Sequence, residues 1–240
     1  MTARLIRKIY KRLGILHVGR RRTRDLTDFI ESRRIDLVID VGANVGQFGA
    51  MLRAEGYRGK IVSFEPAAAA FQELASKAAA DGNWQAHPCG LGAAPGTATL
   101  HASQLSVFNS FLELSATASL HDQRMAVDHT EEAPIRTLDE IAVPLLGAAQ
   151  SLLLKIDTQG YERRVLEGGR QTVARAAGIL MELPVIHTYR GEWHLHEALE
   201  YMFGLGFVPA QMQAVGYHGA DNVSAVEFDC LFRPRSQIDG

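Results

Sequence analysis

The sequence predicts an α/β protein built on a doubly wound, mostly parallel sheet, and three observations carry that prediction. Ile35 to Ile39 is rich in β-branched and aliphatic residues with no polar face, and Leu152 to Ile156 is a second aliphatic run interrupted only by Lys155, the pattern of central strands buried on both sides. These and two further apolar runs each stop at a carboxylate, Asp40, Glu65, Asp157 and Glu182 in chain order. The runs alternate with helix-prone segments, the succession that produces crossover connections and helices on both sheet faces.

A chain of 240 residues with 47% hydrophobic content can bury a full core, and it reads as one domain over residues 35–234 behind a basic arm, 1–34. The net charge of -2 conceals an asymmetry. Nine of the 25 Lys and Arg residues fall within residues 1–24, which contain no acid, so the body carries 16 basic groups against 27 acidic ones. In the arm, Leu5, Ile6, Ile9, Tyr10 and Leu13 share one helical face, with Arg4, Arg7, Lys8, Lys11 and Arg12 on the other. Such an amphipathic helix either packs its stripe on the body or lets residues 4–24 meet an anionic membrane or a lipid-linked substrate. Aromatic residues for base stacking are not interleaved with Arg20 to Arg24, which argues against nucleic acid. Cys89 and Cys230 are isolated and make no metal spacing, the usage expected of a reduced, cytoplasmic setting. No apolar run reaches membrane-spanning length, so contact at the inner face of a membrane would be peripheral.

Taken in order, Asp25 to Ser32 predicts a short helix and Ile35 to Ile39 the first strand. Gln47 to Glu55 predicts a helix ending near Gly56. Lys60 to Pro66 is the second strand, closed by Pro66 because proline cannot continue a ladder. Ala67 to Asp81 is helix-prone, Trp84 to Gly92 reads as a strand running into a loop, and Thr97 to His101 as another short strand. From there to Ala133 the pattern weakens into a polar stretch, read as a lid or substrate loop. Thr137, with Glu140 three positions on, marks a helix cap. Leu152 to Asp157 is a buried strand, Glu162 to Ala176 a helix, Ile179 to Pro184 a strand and Leu195 to Gly204 a helix. Phe207 to Met212 and Ala225 to Arg233 close the fold as a hairpin.

The chemistry centres on Asp40-Val41-Gly42-Ala43-Asn44-Val45-Gly46, a strand end followed by a glycine turn and a helix. Dinucleotide folds place G-x-G-x-x-G here to receive a pyrophosphate. In this chain Asn44 replaces the middle glycine and an acid opens the motif. A carboxylate there repels pyrophosphate and suits a cation, such as the sulfonium of S-adenosylmethionine, so a nicotinamide-dependent oxidoreductase is the weaker reading. Glu65, 25 residues after Asp40, stands where ribose hydroxyls are held, and the glycines after Pro88, with Gly90 and Leu91, are placed to line an adenine. Asp157 is the best-placed catalytic carboxylate, with Lys155 on the same strand face. Glu182 comes beside it if the two strands are neighbours. The pair then either binds a divalent metal or supplies a base. His187 and His194 follow in a loop as further candidate bases, while the His194-x-His196 spacing is weak evidence for metal.

The chain resembles the FkbM family of S-adenosylmethionine-dependent methyltransferases over roughly Ile35 to Phe232. The resemblance rests on Val38 to Gln47, Val62 to Pro66, Arg136 to Asp139 and Leu154 to Glu162. In the last block, where the family typically reads L-K-I-D-x-E-G-x-E, this chain has Gln159 at the first glutamate. The resemblance implies a seven-stranded class I methyltransferase sheet (Rossmann-like) with its last strand antiparallel, and methyl transfer to oxygen, commonly a sugar hydroxyl of a polysaccharide, glycolipid or secondary metabolite. It also implies that Asp40, Gly42 and Gly46 contact the methionine part and Glu65 the ribose, with Asn44 and Pro66 also at the cofactor, as is Ser110, which matches a family serine after the adenine-side strand. Asp157 and Glu182 would face the transferred methyl. A third reading, a non-catalytic membrane-associated module, sits poorly with carboxylates retained at three strand ends.

Overall fold

The computed structural model describes residues 20–115, 125–147, 151–217 and 223–237, with the side chains of 20–24 and 237 excepted. The amphipathic stripe of residues 4–13 lies outside the described residues. In chain order the elements are α1 (Arg20–Ser32), β1 (Leu37–Val41), α2 (Gln47–Ala54), β2 (Lys60–Phe64), α3 (Ala68–Ala79), β3 (Trp84–His87), β4 (Gly90–Leu91) and β5 (Gly96–Ser103). They continue as β6 (Val127–Arg136), α4 (Leu138–Ala142), β7 (Leu152–Ile156), α5 (Glu162–Glu167), α6 (Arg170–Ala174), β8 (Ala176–Pro184), α7 (Leu195–Gly204), β9 (Phe207–Tyr217) and β10 (Ala225–Pro234).

Seven strands form one sheet in the order β3-β2-β1-β7-β8-β10-β9. β1 is flanked by parallel β2 and β7, and β10, the last strand in the chain, runs antiparallel to both β8 and β9. Every residue of β1 and β7 is buried, the aliphatic ones as strands covered on both faces require and Asp40 and Lys155 as an ion pair. The two-residue period of the strands divides the core. Leu37, Ile39, Leu152 and Leu154 pack with Leu138, Val165, Val173 and Met202 from α4 to α7. Val38, Ile61 and Leu153 pack on the other face with Ile30, Leu52 and Leu74 from α1 to α3. This is the doubly wound architecture that the alternation of runs predicts. The closing hairpin is present and is longer than its apolar core indicates.

Three expectations are corrected. The stretch expected to stay irregular up to Ala133 contains the strand β6, which pairs antiparallel with β5 and parallel with β4 in a separate three-stranded sheet. Only Ala133 and Ile135 of β6 are buried, so its solvated face carries Asp128, Thr130 and Glu132 and masks the strand in the sequence. Trp84 to Gly92 is divided between the two sheets, with β3 in the large one and β4 in the small one. The helix expected over Glu162 to Ala176 breaks at Gly168-Gly169. A Cβ at Gly168 would fall 2.0 Å from the Gly92 carbonyl oxygen, so this pair packs flush against a neighbouring loop. Asp139 then caps the second helix through the Gln171 and Thr172 amides, at 3.0 and 2.8 Å.

Candidate functional site

The carboxyl ends of β1, β2, β7 and β8 lie side by side, which brings the four strand-end acids to one edge. Lys155 knots the middle of it. Its ammonium lies 3.1 Å from Asp40 Oδ1 and 3.4 Å from Asp157 Oδ2, and donates to the Gly42 carbonyl at 2.8 Å. Burial alone would push the lysine pKa down, but the two carboxylates outweigh it and hold the ammonium well above its ordinary value. Asp40 is 0% exposed and also accepts from Ser63 Oγ at 3.2 Å. Asp40 is thus the buried counter-ion that fixes Lys155.

Gly42, Asn44 and Gly46 all have positive φ, of 73°, 48° and 80°. At Gly42 the reason is a close approach within the chain, because a Cβ there would sit 1.9 Å from the Asp157 carbonyl oxygen. The Asn44 amide N–H donates to Glu65 Oε2 at 2.7 Å and the Ala67 N–H to Glu65 Oε1 at 2.9 Å. Glu65 thereby locks the glycine turn to the end of β2, just before Pro66. Burial pushes its carboxyl up to about 7 against those two amides. The Asn44 side chain is engaged from the other side, accepting from Ser106 Oγ at 2.9 Å.

Asp157 is the open carboxylate of the edge, its side chain 39% exposed. Gln159, in a left-handed conformation, donates its amide to Asp157 Oδ1 at 3.0 Å and to Glu182 Oε2 at 2.9 Å. The expected neighbourhood of Asp157 and Glu182 is real, since β7 and β8 pair in parallel, but an amide stands between the carboxylates. Among the described residues, no three His, Cys, Asp or Glu side chains are grouped so as to hold a metal ion. Burial, reinforced by Glu227, Asp157 and Glu162, pushes the Glu182 carboxyl well above the usual range.

The Tyr189 hydroxyl shares its proton between Gln159 Oε1 and the Phe108 carbonyl, both at 3.1 Å. Ser110 is 1% exposed and donates to the Gln159 carbonyl at 2.6 Å, so it braces the turn after β7 rather than offering a surface to a ligand. Gly90 and Leu91 are also packed into the interior. A Cβ at Gly90 would meet the Phe111 ring at 2.6 Å, and Leu91 is 1% exposed within the core. His187 and His194 meet with tilted rings, centroids 3.9 Å apart, His194 stacks on His196 at 5.4 Å, and the His194 amide is held by Glu197 at 2.7 Å. Burial and then His194 push the His187 pKa down. The histidines thus form a cluster of their own, whereas Asp157 and Glu182 are joined through Gln159.

Tyr189, Ser106 and the orienting role of Gln159 are what the sequence did not mark. Gln159 reaches from Asp157, two positions before it, to Glu182, 23 positions after it, while the contacts of Tyr189 and Ser106 join positions 30 to 81 residues apart. No local spacing signals such a contact.

The profile described as Methyltransferase FkbM domain matches residues 40–209, more than half of the chain. The chain belongs to the FkbM methyltransferase family. Methyltransferase 1 of Beauveria bassiana (strain ARSEF 2860) is 27% identical over 146 residues, covering 55% of this chain and 57% of that protein. The structure of methyltransferase FkbM from Methylobacillus flagellatus KT superposes with a TM-score of 0.52 at 16% identity, over 83% of this chain and 43% of that one. Magnesium protoporphyrin IX methyltransferase from Synechocystis PCC 6803, solved with bound SAM, gives a TM-score of 0.46 at 10% identity over 89% and 78%. The chain thus spans about half the length of the first two relatives.

An FkbM methyltransferase uses S-adenosylmethionine, and the residues present fit that group. Two buried polar atoms, Gln47 Oε1 just after the glycine turn and His87 Nε2 at the end of β3, have no hydrogen-bond partner among the described residues and are groups a bound ligand would satisfy. His87 also stacks flat on Phe64 at the end of β2, with centroids 5.1 Å apart. Each Glu65 oxygen accepts one backbone N–H, and Asp157 is the partly exposed carboxylate of the same sheet edge.

Proposed function

We propose that this FkbM methyltransferase transfers the methyl group of S-adenosylmethionine to an aliphatic hydroxyl, with a sugar hydroxyl of a glycolipid, polysaccharide or secondary metabolite as acceptor. The single observation that carries this reading is the exposed Asp157 carboxylate, gripped by Lys155 on one side and Gln159 on the other at the carboxyl edge of the sheet. The cofactor supplies an activated methyl on a sulfonium, so the protein's work is alignment and removal of a proton.

An aliphatic hydroxyl is a weak acid and needs a base as its oxygen attacks. Asp157 is held ready to act as that base. Lys155 fixes one of its oxygens and Gln159 the other, so the carboxylate does not have to reorganise when the proton arrives. Tyr189 sets which end of the Gln159 amide faces Asp157, because its hydroxyl donates to Oε1 and leaves Nε2 to donate to the carboxylates. Glu65 and Asn44 keep the cofactor turn closed over its strand. In this reading Glu182 holds the second amide hydrogen of Gln159, and His187 and His194 line the loop through which the acceptor enters.

The test compares methylated glycans and glycolipids by mass spectrometry before and after loss of the protein. The expected result is a species lighter by one methyl group, restored by the parent protein and not by the Asp157→Asn variant. An unchanged profile would overturn the assignment of a glycan acceptor.

A further inference from the structure

Beyond Glu182 a cavity of about 30 Å³ is bordered by Gln159, Glu162, Glu182, Tyr189, Glu192 and Glu227, and among the described residues no lysine, arginine or histidine lines it. Two of its carboxylates are deeply buried, Glu162 at 1% exposure and Glu192 at 8%. Glu162 Oε1 takes the Thr158 and Gly160 amides at 2.9 and 3.1 Å and the Thr158 hydroxyl at 3.1 Å. Its Oε2 is buried and has no hydrogen-bond partner among the described residues, which leaves that oxygen to the cavity. Glu192 Oε1 is likewise spent on the Thr188 and Tyr189 amides. Gly160 adjoins both acids: its N–H donates to Glu162, and a Cβ there would lie 3.3 Å from Glu192 Oε2. Burial, and after it the neighbouring acids, push the Glu192 carboxyl up to about 7 and raise Glu162 and Glu182. Nothing in the methyl-transfer chemistry requires such an accumulation of acid.

We propose that this cavity receives a primary ammonium group of the acceptor, so that the substrate class is a hydroxylated amine such as an amino sugar. The proposal rests on the methyl-transfer reading, which places the acceptor hydroxyl at Asp157, one Gln159 amide away. An ammonium is the size of a water molecule, and a site of this volume holds one such group. Its three N–H donors match single oxygens offered by separate carboxylates, and its charge relieves their mutual repulsion. A divalent metal fits less well, because Glu162 and Glu192 have each turned one oxygen to backbone amides and cannot chelate with both. A neutral hydroxyl would leave the repulsion in place.

The test is calorimetric titration of the full chain with D-glucosamine, D-glucose and magnesium chloride, in two buffers of different ionisation heat, with S-adenosylhomocysteine titrated separately. Glucosamine is expected to bind at least tenfold more tightly than glucose and to release protons to the buffer. Glu162→Gln and Glu192→Gln should each reduce that preference to below threefold. The parent protein alone decides the matter if either variant fails to fold. No difference between the two sugars, including no heat from either, overturns the proposal. So does magnesium binding that competes with glucosamine, which would make the cavity a metal site. If the sugar preference holds while S-adenosylhomocysteine does not bind, the pocket stands and the methyl-transfer reading fails; the reverse result fails the pocket alone.

Discussion

Replacing Lys155 by Met removes the ammonium that ties the glycine turn to the acids of β1 and β7. Asp40 is 0% exposed, and with the lysine gone it would keep Ser63 Oγ at 3.2 Å while losing its counter-ion. The Gly42 carbonyl would lose its donor as well. Breaking a buried ion pair by deleting one partner costs about 3–5 kcal/mol. In a chain of this length each kcal/mol lowers the melting temperature by roughly 2–4 °C, which puts Lys155→Met about 10 °C below the parent. Adding Asp40→Asn removes the stranded charge, so the double variant should recover a good part of the loss, with a coupling of about 2 kcal/mol in the mutant cycle. Urea unfolding followed by circular dichroism, with S-adenosylhomocysteine binding measured on each protein, supplies the data. A Lys155→Met protein within about 1 kcal/mol of the parent, the worth of a solvated pair, would refute the buried knot.

Gly42→Ala and Gly56→Ala both place a side chain at positive φ, but only the first drives a Cβ into backbone, the Asp157 carbonyl at 1.9 Å, while nothing lies within 4 Å of the second. Thermal unfolding should show Gly56→Ala losing about 1 kcal/mol to strain and Gly42→Ala losing at least about 1–3 kcal/mol more to overpacking, and equal losses would contradict the close approach. Burial lifts the Glu65 carboxyl from 4.5 to about 7, so the folded chain holds a proton that the unfolded chain releases. Its contribution to stability is fully present below about pH 4.5 and is lost as pH rises through about 7. Glu65→Gln should flatten that part of the stability profile in denaturant titrations, and an unchanged slope would contradict it. Tyr189→Phe frees the Gln159 amide to turn. A net hydrogen bond of about 1 kcal/mol predicts a five- to tenfold fall in kcat with little change in cofactor binding, and unchanged turnover would remove Tyr189 from the site.

The sheet was legible because its central strands are buried on both faces and therefore read as largely aliphatic runs; Leu152 to Ile156 is read as a strand although Lys155 interrupts it. The strand β6 was hidden for the opposite reason, since a solvated face carrying Asp128, Thr130 and Glu132 looks like a loop. The helix break at Gly168-Gly169 depends on the Gly92 carbonyl, a partner more than 70 residues away in sequence, and propensity carries no trace of it. In the site, the strand-end rule located Asp40, Glu65, Asp157 and Glu182, but it could not separate buried braces from open groups. Asp40 turned inward because Lys155, on the adjacent strand in register, supplied a counter-ion there. Gly90, Leu91 and Ser110 were drawn into packing by Phe111, Ile135 and Gln159, contacts between segments that only the tertiary fold brings together.

The most direct test is transfer of isotopically labelled methyl from S-adenosylmethionine to a panel of hydroxylated sugars, run on the parent and on Asp157→Asn, with S-adenosylhomocysteine affinity measured on both. The geometry predicts label in the acceptor with the parent protein, turnover nearly abolished in the variant, and cofactor affinity within a few fold between the two. Full activity of Asp157→Asn would contradict the assignment of Asp157 as the group that takes the proton.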